Sequence, residues 1–77
     1  MTQVVLSPQS SALIEPLTAR ELDVLRLVVA GRSNRAIASE LIVAVGTVKA
    51  HLNSIFGKLG VTSRTQAIRR ANDLHLV

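Results

Sequence analysis

One segment of the chain carries side chains suited to contacts with the edges of nucleic-acid bases. Ala50 and Asn53 fall on the side of a predicted helix that lies opposite its apolar stripe, and Lys49 lies on one shoulder of that side. A lysine donates to guanine O6 or N7 or to a phosphate, an asparagine pairs with adenine, and an alanine contacts the methyl group of thymine. Thr47, in the first turn, has a hydroxyl suited to a phosphate, although an ordinary first-turn hydroxyl explains it nearly as well.

The same face of this predicted helix is built from small residues. It includes Gly46, Ser54 and Gly57, and each glycine costs roughly 1 kcal/mol of helix stability relative to alanine. An ordinary solvated face would carry long polar side chains that favour helix. Close approach of DNA and tight packing against another protein helix would both explain the small residues, and the distribution of charge favours DNA.

The basic residues are concentrated in the C-terminal half of the chain. Residues 1–40 contain four basic and four acidic side chains, whereas residues 41–77 contain five basic and one acidic, so the net charge of +4 belongs to the second half. A localised basic surface is typical of proteins that bind polyanions. A solvated helix face would carry the same charges, so charge alone leaves both interpretations open.

Four helices are predicted to position these residues, which makes the expected fold an all-α four-helix bundle. A capping box at Thr18–Glu21 starts the first helix, which is predicted at about residues 18–30. A second capping box at Ser63–Gln66 starts the fourth helix. Gly31 ends the first helix, and Ser33 is the expected N-cap of a short second helix that runs to about residue 41. Helical spacing assigns the inward-facing residues of these three helices: Leu22, Leu25, Val28, Val29, Ala36, Ile37, Leu41, Ala67, Ile68, Ala71 and Leu74.

The third helix is predicted over residues 45–59, with Gly60 as its C-terminal cap. Its apolar stripe includes Phe56, the single aromatic residue of the chain, so Phe56→Ala is expected to cost roughly 3–5 kcal/mol. The other members of the stripe are Val48, Leu52, Ile55 and Leu59. About three residues separate this helix from the second, a spacing typical of a helix-turn-helix, here at about residues 34–53. The second helix of that motif enters the major groove of DNA.

Length and composition exclude other classes of protein. The 77 residues provide one small domain, predicted at residues 17–77, after a Ser- and Pro-containing flexible linker or tail at residues 1–16. Cysteine is absent and the two histidines are isolated, so we expect no metal site, cofactor, catalytic residue or enzymatic activity. Glu21 is explained by its capping box, with a pair to Arg64 as a second possibility.

No apolar stretch approaches the roughly 18 residues of a membrane span, and we expect a cytoplasmic protein without membrane contact.

Five spaced motifs resemble a known family. Leu17–Glu21, Gly31–Asn34, Gly46–His51, Lys58–Val61 and Ser63–Ala67 closely resemble the LuxR-type (GerE/FixJ-like) DNA-binding domain of bacterial transcription regulators. The resemblance covers about residues 15–77. It implies a four-helix fold in which the third helix recognises DNA and the last helix mediates dimerisation on DNA.

Two positions distinguish this chain within the family. Ala44 stands where many members carry a Ser or Thr that caps the recognition helix, so this helix end should be looser by roughly 1 kcal/mol. Alanine here, with the ending Ala71–Val77, resembles the large MalT-like regulators, which carry a signalling ATPase at the N-terminus. Asn53 stands where some members carry a basic residue.

The residue roles follow from the motif and from the resemblance. Lys49, Ala50 and Asn53 lie where the family reads bases. The predicted contacts to the DNA backbone are Thr47, Asn34, Arg35, Lys58 and Arg64, although Arg35 would serve equally as a solvated charge. The predicted dimer contacts are Thr65, Arg69, Asn72 and Asp73. Because the outward face of the fourth helix has no apolar stripe, we expect a weak homodimer that forms mainly on DNA.

The predicted function is sequence-specific binding of double-stranded DNA, as the output domain of a bacterial transcriptional regulator. The alternative is a small helical protein-interaction domain, for example one that contacts RNA polymerase. Binding to DNA should weaken steeply as salt rises, whereas apolar helix pairing should not.

Overall fold

The computed structural model describes residues 16–76, which form four α-helices and no strand. The helices are α1 (Ala19–Val29), α2 (Asn34–Leu41), α3 (Val45–Leu59) and α4 (Arg64–Asp73). The all-α four-helix prediction is confirmed. The predicted linker at residues 1–16 lies outside the described residues except for Pro16, as does Val77. None of these helices is both long and apolar enough to cross a lipid bilayer.

The helix boundaries follow from local hydrogen bonding. Thr18 Oγ1 accepts from the Glu21 amide at 3.1 Å, and Glu21 Oε1 accepts from the Thr18 amide at 2.9 Å, which completes the predicted capping box of α1. Ser33 caps α2 by accepting from the Ala36 amide at 3.1 Å. Gly31, at φ 89°, takes the left-handed conformation that reverses the chain after α1.

The capping box predicted for α4 forms only in part. Ser63 Oγ accepts from the Gln66 amide at 3.2 Å, as expected. The Gln66 side chain binds Thr62, one residue before the predicted partner Ser63, because Thr62 offers two donors to the Gln66 carbonyl oxygen. Gln66 Oε1 accepts from the Thr62 amide at 2.9 Å and from its hydroxyl at 3.2 Å.

The core is made by one stripe from each helix. Val48, Leu52, Ile55 and Leu59 of α3 are buried as predicted, whereas Phe56 is only half-buried at the edge of the core. The sequence therefore predicts more burial for Phe56 than the structure shows. The remaining buried apolar residues are Val24, Leu25, Val28, Ile37, Ala38, Ala67 and Ala71.

The inward face of α1 is rotated from the predicted one. Val24 is fully buried, and Leu22 and Val29 are only partly buried. The buried residues of α1 are spaced i, i+3, i+4 and i+7, but the first of them is Glu21, which is 5% exposed. Because the first buried residue is charged, the pattern of apolar residues alone does not predict which face of α1 is buried. In α2 the same kind of shift buries Ala38 and leaves Ala36 partly exposed.

Candidate nucleic-acid interface

The structure brings α2 and α3 together through a tight turn. The turn is residues 42–44, and Ile42 occupies it with φ 59° and ψ 52°, a left-handed conformation that β-branched residues rarely adopt. This conformation lets the Val43 amide reach the Ala38 carbonyl oxygen at 2.9 Å and ends α2 without a glycine. The short helix, tight turn and longer helix form the predicted helix-turn-helix.

The first turn of α3 has no side-chain cap. Ala44 takes the N-cap position and makes no side-chain hydrogen bond, as its methyl group requires. The Thr47 and Val48 amides instead reach the Ala44 carbonyl oxygen, at 3.0 Å and 3.2 Å. The Thr47 side chain is exposed beside this helix end, where unpaired amides attract anions.

The outer face of α3 is open. Lys49, Ala50 and Asn53 are all exposed there, on one side of the helix. Apart from the nearby backbone of α3 itself and the two neighbouring residues, a Cβ atom added at Gly46 or Gly57 would meet no atom within 4 Å. Packing within the described part of the chain therefore does not require either glycine, and the small face is available to an external partner.

A cavity of about 650 Å³ lies beside the start of α3. It is lined by Ser33, Asn34, Arg35, Val45 and Arg64, so it collects three of the predicted backbone contacts. Arg64 Nη1 donates to Asn34 Oδ1 at 2.7 Å, and Arg64 Nη2 donates to the carbonyl oxygen of Arg32. These bonds connect the start of α4 to the start of α2.

Lys58 is placed differently from the other predicted contacts. Its side chain is 12% exposed, and Nζ lies 2.7 Å from Glu21 Oε1. Nζ also donates to the carbonyl oxygen of Pro16 at 3.2 Å. Two of the three ammonium donors are used inside the domain and the side chain is largely buried, so we do not keep Lys58 among the proposed contacts to DNA. Lys58, and not Arg64, is the partner of Glu21.

The Glu21 carboxylate is the centre of a network between α1 and α3. Besides Lys58, it accepts from the Ser54 hydroxyl at 2.6 Å and from the Thr18 amide. Burial of the carboxylate raises its pKa, but the hydrogen bonds from Lys58, Ser54 and Thr18 outweigh burial and lower the pKa from 4.5 to about 2. The network fixes the C-terminal half of α3 against the start of α1.

The predicted dimer contacts lie on the outer face of α4. Thr65, Arg69, Asn72 and Asp73 are all exposed, at spacings that place them on adjoining turns. Ala67 and Ala71, on the opposite side, are fully buried in the core. The exposed face is polar throughout, as the sequence predicts, and its role in dimerisation stays a prediction.

Sequence reasoning missed two exposed apolar side chains at the helix-turn-helix. Ile42 is 89% exposed and Val45 is 37% exposed. Both residues precede Val48, the first member of the buried stripe of α3. Their positions outside the stripe were the signal in the sequence that could have predicted their exposure. Val45 lines the cavity described above and directly precedes Gly46 of the outer face of α3.

Comparisons with known proteins agree with this geometry. Residues 15–71 match the family described as bacterial regulatory proteins, luxR family. The chain is 46% identical over 63 residues to the transcriptional regulatory protein LiaR of Bacillus subtilis (strain 168), covering 82% of this chain and 30% of LiaR. It is also 46% identical over 69 residues to the HTH-type transcriptional regulator MalT of Serratia proteamaculans (strain 568), covering 87% of this chain and 8% of MalT.

A solved structure shows the same fold. The crystal structure of the response regulator ChrA, from a heme-sensing two-component system, superposes with a TM-score of 0.80 at 42% identity. The match covers 87% of this chain and 33% of ChrA. The chain spans less than a third of the length of LiaR and a smaller part of MalT. By its sequence match and its fold, the chain belongs to the luxR family of bacterial regulatory proteins and is a helix-turn-helix DNA-binding domain of that family.

Proposed function

We propose that this domain binds double-stranded DNA in a sequence-specific manner, with α3 in the major groove. The observation that carries the proposal is the division of α3 into two faces. One face is the buried stripe from Val48 to Leu59, and the opposite face is exposed and small, with open space beside Gly46 and Gly57. A helix with such a face can approach the floor of the groove closely.

Three exposed residues on that face are proposed to read bases. Lys49 donates to guanine O6 or N7, and Asn53 pairs with adenine, one turn further along the helix. Ala50 lies between them and contacts a thymine methyl group. Thr47, Asn34 and Arg35 are proposed to hold the phosphates that flank the groove, which fixes the register of α3 on the duplex.

The domain is proposed to act as the output module of a longer transcriptional regulator in the bacterial cytoplasm. The relatives LiaR and MalT are both named as transcriptional regulators, and this chain matches only a part of each. A MalT-like regulator as the longer protein is consistent with the match to MalT. The proposed role of this domain is binding, and its family of DNA-binding regulators gives no reason to assign it a reaction.

The proposal is tested by a salt titration of DNA binding. A cognate duplex is first selected from a random pool, and its affinity is then compared with that of a scrambled duplex by fluorescence anisotropy. We expect the logarithm of the binding constant to fall linearly with the logarithm of salt, by about 0.9 for each phosphate contacted. Equal affinity for both duplexes would contradict sequence-specific readout. Binding to neither, with salt-insensitive pairing to a protein partner, would favour the interaction domain instead.

A further inference from the structure

The cavity beside the start of α3 has the charge of an anion site. Two of its five lining residues, Arg35 and Arg64, are arginines, and none is acidic. The cavity is formed where the starts of α2 and α3 meet the start of α4. It therefore lies next to the surface that we propose to face DNA.

The orientation of the Asn34 amide is determined by its partner. Arginine has donors and no acceptor, so the Asn34 atom that lies 2.7 Å from Arg64 Nη1 must be the carbonyl oxygen, Oδ1. The amide nitrogen Nδ2, with its two hydrogens, then points away from Arg64. Nδ2 donates no hydrogen bond to another residue of the described range 16–76. Because Asn34 lines the cavity, this donor is available to a ligand there.

We propose that Arg64 is a positioning residue for a phosphate seat, in which Asn34 Nδ2 and the Arg35 guanidinium bind one phosphate of the DNA backbone. This inference rests on the proposed function and changes the role of Arg64 from a direct contact to a support. Arg64 acts through Asn34, because one donor on each of its two terminal nitrogens already binds Asn34 Oδ1 and the Arg32 carbonyl oxygen.

The two bonds of Arg64 explain why an arginine is needed there. One guanidinium nitrogen holds the Asn34 side chain, and the other holds the backbone of the loop that leads into α2. A lysine has the same charge but a single nitrogen on a flexible stem, so it does not reproduce this forked geometry. Replacing Arg64 by lysine therefore separates the hydrogen-bond geometry from the charge.

Two variants test the seat, each with a matched control. Arg64→Lys keeps the charge and removes the fork, and Arg26→Lys makes the same exchange at an exposed position of α1. Asn34→Asp keeps the acceptor for Arg64 but removes the Nδ2 donor and adds a negative charge. Ala19→Asp adds the same charge at the equivalent first position of α1, remote in sequence from the cavity. Affinity for cognate and scrambled duplexes is measured as a function of salt.

We expect Arg64→Lys to weaken binding to both duplexes by roughly fivefold, the usual effect of one hydrogen bond, with an unchanged salt slope. Asn34→Asp should weaken both by about tenfold or more, because it loses a hydrogen bond and places a carboxylate beside a phosphate. Its thermal midpoint should stay the same or rise, since Arg64 gains a charged partner. Weaker binding together with an unchanged or higher thermal midpoint excludes loss of folding as the cause of the weaker binding. In the Asn34→Asp background, Arg64→Lys should have little further effect on binding.

Several results would overturn the seat. If Arg64→Lys and Asn34→Asp bind as well as their controls, while the unsubstituted domain binds DNA, the inference fails and the proposed function stands. Weakening on the cognate duplex alone would assign Asn34 to base reading instead. If the unsubstituted domain binds no duplex, the proposed function itself fails, and the seat with it.

Inorganic phosphate is the other source of the same chemistry. It is titrated into the domain without DNA while the Asn34 side-chain amide is followed by NMR. We expect no saturable change, because one phosphate without the rest of the duplex makes few contacts. Saturation at micromolar phosphate would identify a site for the free anion and overturn the assignment to DNA.

Discussion

The ammonium of Lys58 lies 2.7 Å from Oε1 of Glu21 between the first and third helices, where the two side chains are 12% and 6% exposed. Ser54, one helical turn before Lys58, donates to the other carboxylate oxygen. The same carboxylate also completes the N-cap of α1. One buried acid therefore determines both where α1 begins and how α3 lies against it.

Glu21 should make the stability of the domain depend on acid pH. Its pKa is about 2 when folded, below the ordinary value of 4.5, so its contribution is complete above pH 4.5 and is lost as the pH falls toward 2. The contribution is at most about 3 kcal/mol. Urea denaturation at several pH values measures it. Glu21→Gln should remove this part of the pH dependence, whereas Glu40→Gln, in an exposed pair, should leave it. An unchanged profile for Glu21→Gln would contradict the role of the network.

Lys49→Ala should weaken specific DNA binding without unfolding the domain. Lys49 is exposed and lies off the buried stripe, so stability should change by less than about 0.5 kcal/mol. Loss of one base contact should cost about 1–3 kcal/mol of binding to the selected duplex. Arg20→Ala, which removes the same charge from α1, is the control for net charge. Equal effects of the two substitutions would show that Lys49 acts only through its charge.

Two neighbouring residues of α3 should differ in their contribution to the core. Ile55 is fully buried, and Phe56 is half-buried. Ile55→Ala should therefore cost about 2–5 kcal/mol, more than Phe56→Ala, although phenylalanine is the larger side chain. Thermal melting followed by circular dichroism compares them. A larger loss for Phe56→Ala would mean that the helix is rotated from the position described above.

Ile42→Gly should stabilise the domain. A non-glycine residue in the left-handed region costs roughly 1–2 kcal/mol, part of which is offset by the greater freedom of glycine in the unfolded chain. Because Ile42 is 89% exposed, its removal loses little buried area. The expected gain is up to about 1 kcal/mol in urea denaturation. Ile42→Ala is the control, since it keeps the strained φ. If Ile42→Gly and Ile42→Ala raise the free energy of unfolding equally, the left-handed backbone conformation is not the cause of the gain in stability.

The isolated domain should be monomeric or weakly dimeric and should pair firmly on DNA. The outer face of α4 is polar, and a small polar patch falls below the roughly 1,000 Å² expected of a stable interface. Two half-sites about 34–36 Å apart would raise the effective concentration of one copy beside the other. Sedimentation equilibrium is measured without DNA, with a two-site duplex and with a one-site duplex. A tight dimer at nanomolar protein without DNA would contradict this expectation.

The sequence predicts the helices well because their signals are local. Thr18 and Glu21 are three residues apart, and Gly60 directly follows α3, so each signal depends on a few neighbours. The stripe of α3 is predicted for the same reason. The end of α2 at Ile42 has no local signal, because the left-handed residue there is not a glycine.

The side-chain networks could not be predicted, because they join residues distant in sequence. Glu21 and Lys58 are 37 positions apart, and Asn34 and Arg64 are 30 apart. Spacing along the chain does not tell which of several basic residues will reach a given acid. For Glu21, the sequence also hides burial, since a glutamate is expected at the surface unless its partners are known.

The two faces of α3 have a consequence for how DNA targets can diverge. The residues that fix α3 in the domain, such as Leu52 and Ile55, are different residues from Lys49, Ala50 and Asn53 on its outer face. A substitution on the outer face leaves every buried contact in place, so folding imposes little constraint on it. Under the proposed function, a few exchanges on this one helix would re-target the scaffold to another operator, whether by mutation in bacteria or by design in the laboratory.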